Sequence, residues 1–94
     1  MVVISRRTLR DFGKRHADAR GPLEAWFRIV QNADWKNTAA VRDQFKDADF
    51  VGEKVVFNIL GNRYRLIAFI AYRVRTVYIK AVLTHKEYDK GAWK

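Results

Sequence analysis

The amino-acid sequence predicts an α+β two-layer sandwich of order β-α-α-β-β-β, with helices packed on one face of an antiparallel sheet. Three observations lead there. Residues 54–83 alternate with the period of two of a β-meander, Gly61-Asn62 lies between two such runs as a hairpin signal, and the first half of the chain carries two apolar stripes at helical spacing. Ninety-four residues suffice for a single two-layer core and no second one, so the chain reads as one domain, 1–94.

Val2 to Ser5 reads as a short first strand. Arg6 to about Ala17 follows as a helix with Leu9, Phe12 and His16 on one stripe and Ser5 as its N-cap. Gly21-Pro22 restarts the chain, because proline suits the opening of a helix, and Leu23, Trp26, Phe27 and Val30 form the inner stripe of a second helix to about Ala33. Asn32 to Asn37 is a loop, Thr38 caps a short third helix with Val41 and Phe45 inward, and Asp47 to Gly52 is turn chemistry. Trp26 and Trp35 are read as packing aromatics rather than ligand stackers, while Trp93 is either frayed or docked.

The hairpin sets the register of the meander, placing Leu60 opposite Arg63 and Asn58 opposite Arg65, since Gly and Asn tolerate the positive φ of a tight turn. One face then carries Val55, Phe57, Ile59, Tyr64, Leu66, Ala68, Ile70, Tyr72, Val77, Ile79, Ala81 and Leu83 and no charge, so it must be buried. The other carries Lys54, Asn58, Arg63, Arg65, Arg73, Tyr78, Lys80 and Thr84, with Val56, Ile67, Phe69 and Val82 between them lining a shallow cleft. The second turn, Arg73-Val74-Arg75-Thr76, lacks Gly or Asn, and a slip of one residue there would invert the last strand.

The net charge of +9 is unevenly placed: residues 1–53 hold 10 Lys and Arg against 8 Asp and Glu, residues 54–94 hold 9 against 2. A field of that sign attracts polyanions, although lysine and arginine stems also cover sheet edges and confer solubility alone. The absence of cysteine excludes disulfides and thiolate metal sites, and two separated histidines offer no zinc cluster, so neither metal nor cofactor is expected. The longest apolar run, Leu66 to Tyr72, is too short to span a bilayer and no signal peptide opens the chain, which points to a cytoplasmic protein without membrane partners. Ser5, the sole serine, has no triad motif around it, no Gly-rich phosphate loop is present, and the cationic face holds no carboxylate pair for glycoside hydrolysis.

RNA supplies its own nucleophile. A site that aligns a 2′-hydroxyl, neutralises the phosphate and moves protons can cleave it with side chains alone. The residues after the last strand offer the proton carriers, since the His85 imidazole can take up or give a proton and Tyr88 can donate a proton or stack on a base. Arg63 and Arg65 can pair bidentately with phosphate, Lys54, Lys80 and Lys86 add point charges, and Asn58 can hold a phosphate or a base edge. Each has a structural alternative: His85 as a strand-end cap, Tyr88 as an edge cover, Glu87 and Asp89 as ion-pair partners, Arg73 and Arg75 as solvated turn charges that ribosomal RNA would find accessible. His16 reads as a half-buried helix residue away from the site.

The ordered set Lys54-Val55-Val56-Phe57-Asn58-Ile59, Gly61-Asn62, Arg65 and Thr84-His85-Lys86-Glu87-Tyr88-Asp89, after a basic first helix, resembles the HigB toxins of bacterial type II toxin–antitoxin modules, in the RelE-like group of mRNA interferases. The resemblance implies a RelE-like fold and an endoribonuclease that cuts mRNA on the ribosome by metal-independent attack of the 2′-OH. It also implies inhibition by a HigA-like antitoxin with a DNA-binding domain, the complex sitting on operator DNA. The matching positions are Arg65 and His85 first, then Asn58, Lys80, Tyr88 and Lys54. On that basis Arg65, His85 and Tyr88 are the expected catalytic residues, and Lys54, Asn58, Arg63, Arg73, Lys80 and Lys86 the expected RNA-binding ones. A non-catalytic RNA- or ribosome-binding module remains the alternative, as does a toxin that has lost its activity.

Overall fold

A computed structural model describes residues 1–94. Strand β1 (Val2–Ile4) leads into helices α1 (Arg6–Arg15), α2 (Arg20–Gln31) and α3 (Thr38–Gln44), then strands β2 (Asp49–Val51), β3 (Lys54–Ile59), β4 (Tyr64–Ala71) and β5 (Thr76–Thr84), and a terminal helix α4 (His85–Asp89). The sheet runs β1-β5-β4-β3-β2. The expected α+β class stands, with α1, α2 and α3 on one face and the short α4 on the other. The sheet is mixed rather than purely antiparallel, because β1 adds to β5 in parallel, Val3 opposite Val77. Residues 49–51, read from sequence as part of a turn, pair with β3 as a fifth strand.

Two caps differ from expectation. Ser5 has the extended backbone of an N-cap but its hydroxyl caps nothing, and α3 is capped by Asn37, whose side chain accepts from the Ala40 amide at 3.0 Å, rather than by Thr38. Pro22 falls in the first turn of α2, where a missing amide costs no intrahelical bond.

The core lies between the sheet and the three long helices. Phe12, Leu23, Trp26 and Val30 meet Val55, Phe57, Leu66, Ala68, Ile70, Val77 and Ile79, and Trp26 and Phe45 sit edge-on to Phe57 at 5.4 and 5.0 Å. Trp26 and Trp35 are each 2% exposed, which settles both as packing residues.

The β3–β4 turn delivers the expected register, Asn58 opposite Arg65, but it carries positive φ at Leu60 and Gly61 rather than at Gly61 and Asn62. The Arg63 amide closes it on the Leu60 carbonyl at 3.2 Å. At the second turn the chain makes a 3-10 turn over Tyr72–Val74 and places Arg75 in the left-handed region, which lets a Gly-free sequence reverse direction. Such a conformation costs a non-glycine residue roughly 1–2 kcal/mol. Its neighbours hold it: Arg75 pairs with Asp34 at 2.9 Å and its carbonyl accepts from the Val2 amide at 2.7 Å.

β5 departs from simple alternation. Ala68 faces Ile79 and Ile67 faces Ala81, so Lys80 is an extra residue, a bulge. One inserted residue inverts every later position. Val82, expected on the open face, therefore enters the core at 7% exposed, while Ala81 and Leu83, expected in the core, lie half-buried on the opposite side. The second face is also less open than its pattern suggested. Val56 and Ile67 are 2% and 1% exposed, and α4 folds back against β4 and β5.

Candidate functional site

On the face away from the three long helices, Arg65 projects from β4 beside Asn58 of β3 and Leu83 of β5. Its Nη1 donates to the Asn62 carbonyl at 2.9 Å and to that of Tyr64 at 3.3 Å, which anchors one edge of the guanidinium and leaves Nε and Nη2 without a protein partner. No carboxylate pairs with it. The plane lies 5.2 Å from the Tyr88 ring. An arginine fork fixed at one edge and free at the other is preorganised to meet a phosphate.

Tyr88 is placed by a capping box. The Thr84 hydroxyl accepts from the Glu87 amide at 3.2 Å, and the Glu87 carboxylate accepts from the Thr84 amide at 2.9 Å, fixing the start of α4 directly after β5. The Thr84 amide holds the Glu87 carboxyl below the usual carboxylate range; partial burial opposes this, and the Thr84 hydroxyl and the charges of Arg15 and His16 add to it. Glu87 is thereby a capping group. Beyond it, Gly91 takes a φ of +74° and turns the chain back, so that Trp93 stacks on Tyr88 at 4.9 Å and 13°, its Nε1 donating to the Tyr88 carbonyl at 2.9 Å. Lys54 of β3 donates to the Trp93 carbonyl at 3.0 Å and closes the ring of contacts. Trp93 is docked, and it belongs to this face; the helix-ending Lys90-Gly91 was the one sequence signal that could have placed it.

His85 opens α4 at the end of β5, where its amide donates to the Arg63 carbonyl at 3.1 Å. Its side chain is more than half exposed, with Nε2 3.3 Å from Asp89 Oδ2 one turn on. That contact leaves Nδ1 for a ligand and gives Asp89 the part of an orienting carboxylate.

Four expected residues, Arg65, Asn58, Tyr88 and Lys54, share this face with Lys80 at the bulge, and His85 stands at its end. Arg63 turns the other way. It pairs with Asp18 at 2.8 Å, while the Tyr64 hydroxyl donates to the second Asp18 oxygen at 2.7 Å. Those two bonds, the tyrosine's first, hold the Asp18 carboxyl low, and the same carboxylate raises both Tyr64 and Arg63. Arg73 sits in the turn after β4, at the opposite end of that eight-residue strand from Arg65 and so about 25 Å away. Lys86 is exposed on α4. His16 stacks on Phe12 at 4.4 Å and leans on Tyr64 at 5.2 Å in the helical layer, near enough to α4 for its charge to act on Glu87.

The molecule has two sizeable cavities, one on each side of the sheet. A cleft of about 550 Å³ on the sheet face is lined by Val51, Gly52, Glu53, Lys54, Phe69, Lys80, Trp93 and Lys94. A groove of about 640 Å³ between α1 and α2 is lined by Arg6, Arg10, Lys14 and Arg20 with Leu9, Leu23, Gly13 and Glu24, and holds neither a histidine nor an aromatic ring. The first adjoins Tyr88 and Arg65 through Trp93, which lines it and stacks on Tyr88.

A family model described as the HigB toxin, the RelE-like toxic component of a toxin–antitoxin system, matches residues 19–91. The mRNA interferase toxin HigB of Escherichia coli strain K12 is 27% identical over 92 residues, covering 95% of this chain and 88% of the relative. The mRNA interferase HigB of Escherichia coli O157:H7 matches to the same extent, and that of Escherichia coli O6:H1 is 24% identical over 93 residues, covering 96% and 90%.

Proposed function

Since the chain belongs to the HigB family, RelE-like toxic components of toxin–antitoxin systems, we propose that it is an mRNA interferase whose RNA site is the sheet face bearing Arg65, Tyr88, Asn58 and Lys54, with His85 at its end. The observation that carries this reading is the Arg65 guanidinium, anchored at one edge, unpaired by any carboxylate and set against Tyr88. Arg63, two positions earlier, is by contrast neutralised by Asp18.

Cleavage follows from that geometry. The 2′-oxygen of the RNA attacks the adjacent phosphorus in line as the bond to the 5′-oxygen breaks, leaving a cyclic phosphate and a 5′-hydroxyl. Arg65 takes up the charge that grows on the phosphoryl oxygens, an interaction strongest in the transition state. His85, oriented by Asp89, carries one of the two protons that must move, and Tyr88 holds a base by stacking or carries the other. Lys54 and Lys80 retain the flanking phosphates, and Asn58 meets a phosphate or base edge opposite Arg65. These steps need no bound metal.

Membership of the family implies an antitoxin partner. We take it to be HigA-like, with a DNA-binding domain that carries the complex to operator DNA. The ribosome is taken to present the mRNA, with Lys86 and Arg73 meeting RNA outside the cleavage site, and the work of the toxin is accordingly cytoplasmic. No helix is long and apolar enough to cross a membrane.

Induced expression of the wild type and of Arg65→Ala and His85→Ala in a bacterial host, with mapping of new mRNA ends, tests the proposal. Growth arrest with internal ends that vanish in both variants is expected. No new ends from soluble wild-type protein would instead leave a basic binding module.

A further inference from the structure

The cleft beside Trp93 presents three kinds of group at once. It has flat apolar surface in Phe69 and Trp93, three cations in Lys54, Lys80 and Lys94, and one carboxylate, Glu53, in the β2–β3 turn. None of these four charges meets an opposite charge within the protein, Lys54 being held by the neutral Trp93 carbonyl. Glu53 makes no ion pair although it lies in a cleft with three lysines, and the lysines meet no carboxylate. A ligand that satisfies all of them must carry an anion, a planar face and hydrogen-bond donors, which is the description of a nucleotide.

The donors narrow the choice. A carboxylate offers two acceptors side by side and no proton. Among the bases of single-stranded RNA, read on their Watson–Crick edges, guanine alone presents two adjacent donors, N1–H and N2–H. Adenine and cytosine place a ring acceptor next to their amino group, and uracil sets its one N–H between two carbonyls, so each turns an acceptor toward the carboxylate. The cleft is also tied to the phosphate site. The Arg65–Tyr88 and Tyr88–Trp93 separations, 5.2 and 4.9 Å, cap the distance from the Arg65 guanidinium to the Trp93 ring at about 10 Å.

We infer that this cleft is a guanine subsite: it takes the base of a nucleotide within one or two positions of the scissile phosphate, with Phe69 and the Trp93 face turned from Tyr88 as the stacking surfaces, Glu53 as the reader and the lysines on the phosphate. The inference rests on the proposed ribonuclease reading for its place in the reaction, but the binding itself is measurable without cleavage.

The test is titration of the purified wild-type protein with guanosine, adenosine, cytidine and uridine 5′-monophosphates, following the indole N–H resonances by NMR. Trp26 and Trp35 are 2% exposed, so a bound base acts on the Trp93 signal, assigned with Trp93→Phe. Guanosine monophosphate is expected to move that signal and to bind about tenfold more tightly than the other three, and Glu53→Gln, at an exposed position, to level the preference. In mapped cleavage products the counterpart is guanine enriched at one fixed position near the cut, lost in Glu53→Gln. Equal affinities for the four nucleotides, no shift at Trp93, or a preference unchanged by Glu53→Gln would each overturn the subsite. Absence of cleavage alongside selective guanosine binding would count against the nuclease reading instead.

Discussion

Arg65 is the residue on which the chemistry turns, and its surroundings say which replacements it tolerates. Lysine keeps the charge but has neither the planar fork nor the anchoring of one edge on two carbonyls. Arg65→Lys should therefore lose most activity, about 10²-fold or more in cleavage rate, with little change in the urea midpoint. Retention of near wild-type rate in Arg65→Lys would mean that bulk charge suffices. Asp18 makes the contrasting case of a structural ion pair. Its carboxyl is depressed in the folded state, so its contribution to stability is present above the ordinary aspartate range near pH 4 and is lost as pH falls through the lowered value. Urea midpoints of wild type and Asp18→Asn measured between about pH 2 and 6 should differ most at the upper end and converge in acid. Parallel curves would show that the pair with Arg63 and Tyr64 does not form. Arg63 also shows where sequence stops being informative: its type suits a phosphate, and only a fold that brings Asp18 from 45 positions away reveals it as occupied. Arg65 and Asn58 were legible because a local turn sets their pairing.

At the level of elements, the meander was readable wherever alternation was unbroken and unreadable where it was not. The Gly61-Asn62 signal fixed β3 against β4, and the apolar spacing of α1 and α2 was unambiguous. The bulge at Lys80 has no sequence signature, because a lysine between Ile79 and Ala81 fits a regular open-face position equally well. It exchanges the fates of Val82 and Leu83. Val82→Ala should cost about 2 kcal/mol and Leu83→Ala clearly less, a comparison that urea unfolding can make. The reverse order would return β5 to simple alternation. α4 gives a second case. Its five residues are too few to be stable alone and depend on the Thr84–Glu87 box. Thr84→Ala should cost about 1 kcal/mol locally and loosen Tyr88 and Trp93, so cleavage should fall while the core unfolds at nearly the same urea concentration.

For the molecule as a whole, the excess of cations in residues 54–94 becomes a surface because the meander gathers Lys54, Arg65 and Lys80 on one side of the sheet and the chain after α4, turned back at Gly91, brings Lys94 to it. The helical layer takes the balanced half of the chain. Binding of short single-stranded RNA to a cleavage-deficient His85→Ala protein should weaken with salt, the logarithmic slope shrinking by about 0.7 on Lys80→Gln and staying put on Arg73→Gln at the far turn. Equal effects of the two would spread the RNA over the whole sheet. The central claim, that this face cleaves RNA through its own 2′-hydroxyl, is met most directly by single-turnover cleavage of a ribosome-bound mRNA bearing one 2′-deoxynucleotide just 5′ of a mapped cut. The account requires the all-ribose message to yield a 2′,3′-cyclic phosphate at that position and the deoxy message to remain intact there. Cleavage of the deoxy message at the same bond would contradict it.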